Sequence, residues 1–97
     1  MNRWWGYVTT IAQVDNQSEI AVRVGIDQTT VSRWKRFGAG SRVASVGRFA
    51  RAYDRPFVEA CVAAGYLSEQ EAQAHDPDPI ATIPTAELAR ELARRLA

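Results

Sequence analysis

One cysteine, one histidine and one methionine in 97 residues exclude several kinds of protein. A single thiol cannot close an internal disulfide. Cys61 lies in Phe57-Val58-Glu59-Ala60-Cys61-Val62, a helical, buried-looking stretch, and reads as a small core residue. His75 has no partner at the usual metal-ligand spacings, so no metal site is expected. No apolar run reaches the roughly eighteen residues that a spanning helix needs. Met1-Asn2-Arg3-Trp4-Trp5-Gly6 lacks the apolar stretch of a signal peptide, which makes the cytoplasm the expected location. There is no glycine-rich phosphate loop and no recognisable pair of catalytic carboxylates. The expectation is therefore a protein that is not an enzyme, takes no cofactor and has no effector-pocket domain.

With 46% hydrophobic residues, a core is attainable without disulfides or metal, and the length allows one domain with a short appendage. The net charge of +1 conceals an uneven distribution. Residues 23–55 hold eight cations (Arg23, Arg33, Lys35, Arg36, Arg42, Arg48, Arg51 and Arg55) against Asp27 and Asp54, a net +6. Residues 56–97 hold Arg90, Arg94 and Arg95 against seven acids, a net −4. A basic segment suits phosphates, while an acidic remainder faces away or limits non-specific binding.

The basic segment contains the most informative pattern. Residues 17–24 place Ile20, Ala21 and Val24 on one side of a short helix. Gly25 follows, where a helix ends in a left-handed conformation that costs glycine little. Asp27 can cap the next helix by accepting from the amides of Thr29 or Thr30. Ile26 and Val31 fit a hydrophobic staple around that cap. In the second helix, residues 28–37, each residue advances about 100°. Gln28, Ser32, Arg36, Thr29 and Arg33 then share one polar arc, and Phe37, Thr30, Trp34 and Val31 share the packing arc. Amide, hydroxyl and guanidinium groups together suit major-groove reading. Gln matches adenine edges, Arg matches guanine edges, and Ser or Thr can bond bases or phosphates.

Gln17, Ala21, Gly25 and the segment Ile26-Asp-Gln-Thr-Thr-Val-Ser-Arg-Trp34 resemble the helix-turn-helix of the Xre and lambda-repressor-like superfamily. Arg48-Phe-Ala-Arg-Ala-Tyr-Asp-Arg-Pro56 and Ala63-Ala-Gly-Tyr-Leu-Ser-Glu-Gln-Glu-Ala72 resemble its continuation in small regulators of actinobacteria and their phages. The resemblance is specific over residues 17–38 and weak beyond residue 72. It implies an all-helical domain that binds double-stranded DNA as a repressor. A phage immunity repressor is the first expectation, with a host regulator or an antitoxin as alternatives. On this reading Gln28, Thr29, Ser32 and Arg33 read bases, and Gln17, Lys35, Arg36, Arg42 and Arg48 meet the DNA backbone. The resemblance further implies that the Gln17 amide buttresses the recognition helix against DNA.

The remaining chain reads as further helices. The first spans Arg3 to Val14, with Trp5, Val8, Ile11 and Ala12 inward. Trp4 and Tyr7 are packing residues or, if exposed, partner contacts. Asn16 and Glu19 form a capping box for the helix that begins at Gln17. Gly38-Ala39-Gly40-Ser41 is a flexible loop of small residues. A fourth helix spans Arg42 to Tyr53, its inner positions being Val43, Val46, Ala50 and Tyr53 and its outer ones Arg48 and Arg51. A fifth runs from Arg55-Pro56 to Gly65. A second capping box, Ser68 with Glu71, opens a short sixth helix that ends near Ala74.

This gives an all-α bundle of five to six helices over residues 1–74. A proline-rich linker follows over 75–84 and an amphipathic helix over 85–97, capped by Thr85. Leu88, Leu92 and Leu96 form a stripe that must be buried, either on the chain's own domain or against a second copy as a homodimer. The stripe and the −4 charge also support a different function, an antitoxin-like autoregulator whose acidic C-terminal part binds a partner protein.

Overall fold

Short polar caps and glycine stops divide the chain into helices. The computed structural model describes residues 2–74 and 85–96. Among them are seven α-helices and no strand: α1 Arg3–Ala12, α2 Gln17–Val24, α3 Gln28–Phe37, α4 Val43–Ala52, α5 Phe57–Ala64, α6 Glu69–Ala74 and α7 Thr85–Leu96. The linker expected over 75–84, with His75, lies outside the described residues.

Local signals set most boundaries. The Asn2 side chain accepts from the Trp5 amide at 2.7 Å, and that of Asn16 accepts from Glu19 at 3.0 Å. Ser68 and Glu71 form the full reciprocal box, with bonds of 3.1 and 3.0 Å. At Asn16 and Glu19 only the Asn16 half is present. Gly25 ends α2 in the left-handed region at φ 79°, its amide bonded to the Ala21 carbonyl, as expected.

One expected end moves, and one expected capping bond does not form. α1 stops at Ala12 rather than Val14, because Gln13 turns left-handed (φ 60°) and bonds back to the Thr9 carbonyl. Asp27 occupies the cap position of α3, but its side chain makes no capping bond. The Thr30 amide instead reaches the Asp27 backbone carbonyl at 3.0 Å.

The core sits where α1, α3, α4 and α5 converge. Trp4, Trp5 and Val8 come from α1, Ile20, Ala21 and Val24 from α2, and Val31 and Trp34 from α3. α4 supplies Val43, Val46, Phe49 and Ala50, and α5 supplies Phe57, Ala60, Cys61 and Ala63. Trp4 is a packing residue at the centre, with ring centroids 5.3 Å from Trp34 and 5.5 Å from both Tyr7 and Phe49. Phe49, absent from the expected inner positions, is fully buried, and Tyr53 is only partly so. The inward arc of α4 is thus wider than the heptad-like positions indicate. Cys61 is buried, and burial pushes its thiol up to about 12, which keeps it protonated and inert at neutral pH.

Tyr7 joins α1 to α5 by donating its O–H to Glu59 at 2.8 Å. Arg55 grips the same carboxylate with two bonds of 2.9 and 2.6 Å. α7 lies on α4, with Leu88 and Leu92 buried and Leu96 at the exposed end. Arg95 also reaches Glu71 of α6 at 3.3 Å. Of the two fates left open for the leucine stripe, the structure has the first, docking on its own domain. Pairing of chains through Leu88, Leu92 and Leu96 would require α7 to leave that site.

Candidate nucleic-acid interface

α2 and α3 pack tightly because the residues between their axes are small or well fitted. Ala21 and Val24 of α2 and Val31 and Trp34 of α3 are all buried. With α3 anchored through Val31 and Trp34, the opposite side must face out. Gln28, Thr29, Arg33, Lys35 and Arg36 are all exposed, and residues 28–37 contain no acid. Four of the sequence-derived candidates, Gln28, Thr29, Arg33 and Arg36, therefore lie together on one uncovered helical face.

Ser32 differs from its neighbours. It is half-buried and donates its hydroxyl hydrogen to the side-chain carbonyl of Gln17. This bond ties the first turn of α2 to the middle of α3. It leaves Ser32 only as an acceptor toward a ligand, and leaves the Gln17 amide hydrogens for an acceptor outside the pair. Ser32 is thus better placed to hold α3 on Gln17 than to donate to a base.

The two later arginines sit apart from α3 but near its start. Arg42 is exposed at the cap position of α4. Arg48, on the next turns of α4, donates to the Gly25 carbonyl at 3.1 Å. One of its N–H groups therefore secures the turn between α2 and α3, leaving the rest of the guanidinium for an outside acceptor. Asp27, Thr30, Arg42 and Arg48 line one groove.

The far end of α3 differs from the expected arrangement. Phe37, assigned to the packing arc, is 76% exposed. Ala39 is buried instead, and the Asn2 side-chain amide donates to the Trp34 and Lys35 carbonyls at 2.9 and 3.1 Å. Arg36 places its guanidinium 5.5 Å from the Phe37 ring. Asn2 was missed as a support of the site. Its position before α1 identifies it as a cap, but its second role joins positions 32 residues apart and has no local signal.

Arg23, counted in the basic segment, lies 4.6 Å over the ring of Tyr53. It braces α2 against α4 and adds less to the α3 face than the charge count indicates. No cluster of three or more His, Cys, Asp or Glu that could hold a metal ion occurs among the described residues, and no described helix is long and apolar enough to cross a membrane. Comparisons with protein-family models, with curated proteins and with solved structures returned no match for this chain.

Proposed function

We propose that this chain binds double-stranded DNA in a sequence-specific manner and acts as a repressor by occupying a promoter, with α3 as the recognition helix in the major groove. The observation that carries the reading is the outward face of α3. Gln28, Thr29, Arg33 and Arg36 are exposed together, without an acid on the helix. The helix is held in place by Val31, Trp34 and the Ser32–Gln17 bond. In this arrangement Gln28, Thr29 and Arg33 meet base edges, and Lys35, Arg36, Arg42 and Arg48 meet phosphates. Repression, and the phage immunity type in particular, follows from the resemblance to Xre and lambda-repressor-like regulators. The partner-capture alternative loses one of its two supports, because Leu88 and Leu92 are buried within the chain, and keeps the −4 charge.

Selection from a pool of randomised duplexes, followed by salt titration on the enriched duplex, tests the reading. A defined motif should emerge. If about five cations meet phosphates, log K should fall against log salt with a slope of about −4 to −5. Arg33→Ala should relax the motif at one base pair, at a cost of about 1–3 kcal/mol there. Arg42→Ala should weaken all sequences alike. Arg48→Ala is a poorer backbone probe because it also frees the turn at Gly25. No enriched motif, or binding indifferent to salt, would overturn the proposal.

A further inference from the structure

The net −4 of residues 56–97 places the C-terminal part of the chain away from DNA on charge alone. The structure arranges it differently. The groove bordered by Asp27, Thr30, Arg42 and Arg48 has its far wall on α7, where Arg90 completes the lining. The groove measures about 900 Å³. The α7 side chains beside Arg90 are Ala89 and Ala93, small enough to leave it wide.

From this juxtaposition we infer that α7 is part of the nucleic-acid surface and that Arg90 is a phosphate contact, an inference that rests on the DNA-binding reading above. Arg42, Arg48 and Arg90 line the groove with one acid, Asp27, so its charge favours an anion. A guanidinium presents a planar fork of N–H donors that matches two phosphate oxygens. Thr30 and Asp27 place the groove beside the first turn of α3. A duplex lying on the α3 face therefore brings its sugar-phosphate backbone to the groove mouth. Burial of Leu88 and Leu92 fixes the rotation of α7, and with it the side on which Arg90 emerges.

The geometry also separates the arginines of α7. Arg94 does not line this groove. It borders a different surface with Glu87 and Glu91, and Arg90 lines both. Arg95 is turned toward Glu71. Two substitutions on one helix, each removing one positive charge, should therefore differ in effect.

The test measures binding of the full chain to a mixed-sequence duplex across a salt series, for wild type, Arg90→Gln, Arg90→Lys and Arg94→Gln. Circular dichroism confirms that each variant keeps its helices. Losing one phosphate contact should make the slope of log K against log salt shallower by about 0.9. Raising salt about fourfold should then shrink the wild-type advantage over Arg90→Gln by about threefold. Arg90→Lys should restore most of the slope, and Arg94→Gln should retain the wild-type slope. Wild-type binding with an unchanged slope in Arg90→Gln would overturn the inference and leave the DNA-binding reading intact. Equal losses in Arg90→Gln and Arg94→Gln would overturn it in favour of a general charge effect. A wild-type chain that does not bind duplex DNA would remove both.

Discussion

α3 and α7 carry the same number of cations and use them differently. α3 has Arg33, Lys35 and Arg36 with no acid, whereas α7 has Arg90, Arg94 and Arg95 interleaved with Glu87 and Glu91. α3 is anchored by Trp34, whose ring meets Trp4 of α1 and Phe49 of α4 at 5.3 and 6.0 Å. α7 is anchored by two leucines and the exposed Arg95–Glu71 pair. The exposed face of α3 mixes cations with Gln28 and Thr29 and is fixed from beneath by large apolar side chains. α7 mixes charges of both signs and rests on smaller apolar contacts, Leu88 and Leu92. Segment charge describes neither case well, since what matters is which side each cation leaves the helix and what it then faces.

The sharpest way to break the contrast is to remove the stronger anchor. Trp34→Ala should cost about 3–5 kcal/mol, the usual range for truncating a buried aromatic side chain. Small domains hold only about 5–15 kcal/mol in total. Urea unfolding should therefore show a much earlier midpoint, and a change under about 1 kcal/mol would mean that α3 is held by something other than its tryptophan.

Leu92→Asp attacks the weaker anchor and should have a smaller effect on the rest of the fold. Removing a buried leucine side chain costs about 2–5 kcal/mol where the site cannot adjust. Here the helix can escape that cost by undocking, so the loss is capped at the free energy of docking. Helical signal should fall by about the share of α7 while the remaining helices still melt cooperatively. Light scattering should report the same mass as wild type. A change of mass would show instead that the stripe joins two chains.

Ser32→Ala removes the bond to Gln17 without altering the packing face of α3. A net hydrogen bond contributes about 0.5–1.5 kcal/mol, so the melting temperature should drop by about 2–12 °C. Affinity for an enriched duplex should fall more than stability does, because α3 loses its side-chain hydrogen bond to α2 on the side that meets DNA. Equal, small losses in both would reduce Ser32 to an ordinary surface hydroxyl.

The smallest effect concerns neither helix and serves as a control on electrostatics at a distance from them. The Arg55 hydrogen bonds hold the Glu59 carboxyl below its ordinary range, with the Tyr7 O–H adding to the shift and burial opposing it. A carboxyl held low in the folded state gives stability above its unfolded value, and that stability disappears as pH falls through the lower folded value. Glu59→Gln should therefore flatten the acid limb of the stability profile and leave the neutral region nearly parallel to wild type. With the Glu59 side chain 38% exposed, solvent screens the pair and the effect is slight. Urea midpoints on either side of the carboxylate range measure it.

How much of this was legible in the sequence depends on distance along the chain. Gly25, Asn16 and the Ser68–Glu71 box act within a few residues, and each works where its sequence signal places it. The α2–turn–α3 unit was readable for that reason, together with the polar face of α3. Two local signals fail, since the Asp27 side chain makes no capping bond and Gln13 ends α1 early; the other exceptions lie at a helix end or involve partners far along the chain. Phe37 has the period of a core residue, but it is the last residue of α3 and stays exposed, while Ala39 beyond it is buried. Arg48 reads as a free cation, but Gly25 lies 23 positions away and accepts from it. Arg90 sits in an acidic segment, and only the docking of α7 brings it beside Arg42 and Arg48. Periodicity identifies the face a residue occupies, not what that face meets.

The three indoles have a spectroscopic consequence. Trp4, Trp5 and Trp34 are each no more than 3% exposed, and the one large aromatic on the outer side of α3 is Phe37, which emits weakly beside tryptophan. Intrinsic fluorescence from this chain therefore reports the junction of α1, α3 and α4 and is nearly blind to whatever touches the surface. A duplex that lies on α3 without disturbing its anchor should leave the emission maximum where it was. A shift on adding DNA would mean that Trp34 has moved against Trp4, so that reading the groove and repacking the centre are one event.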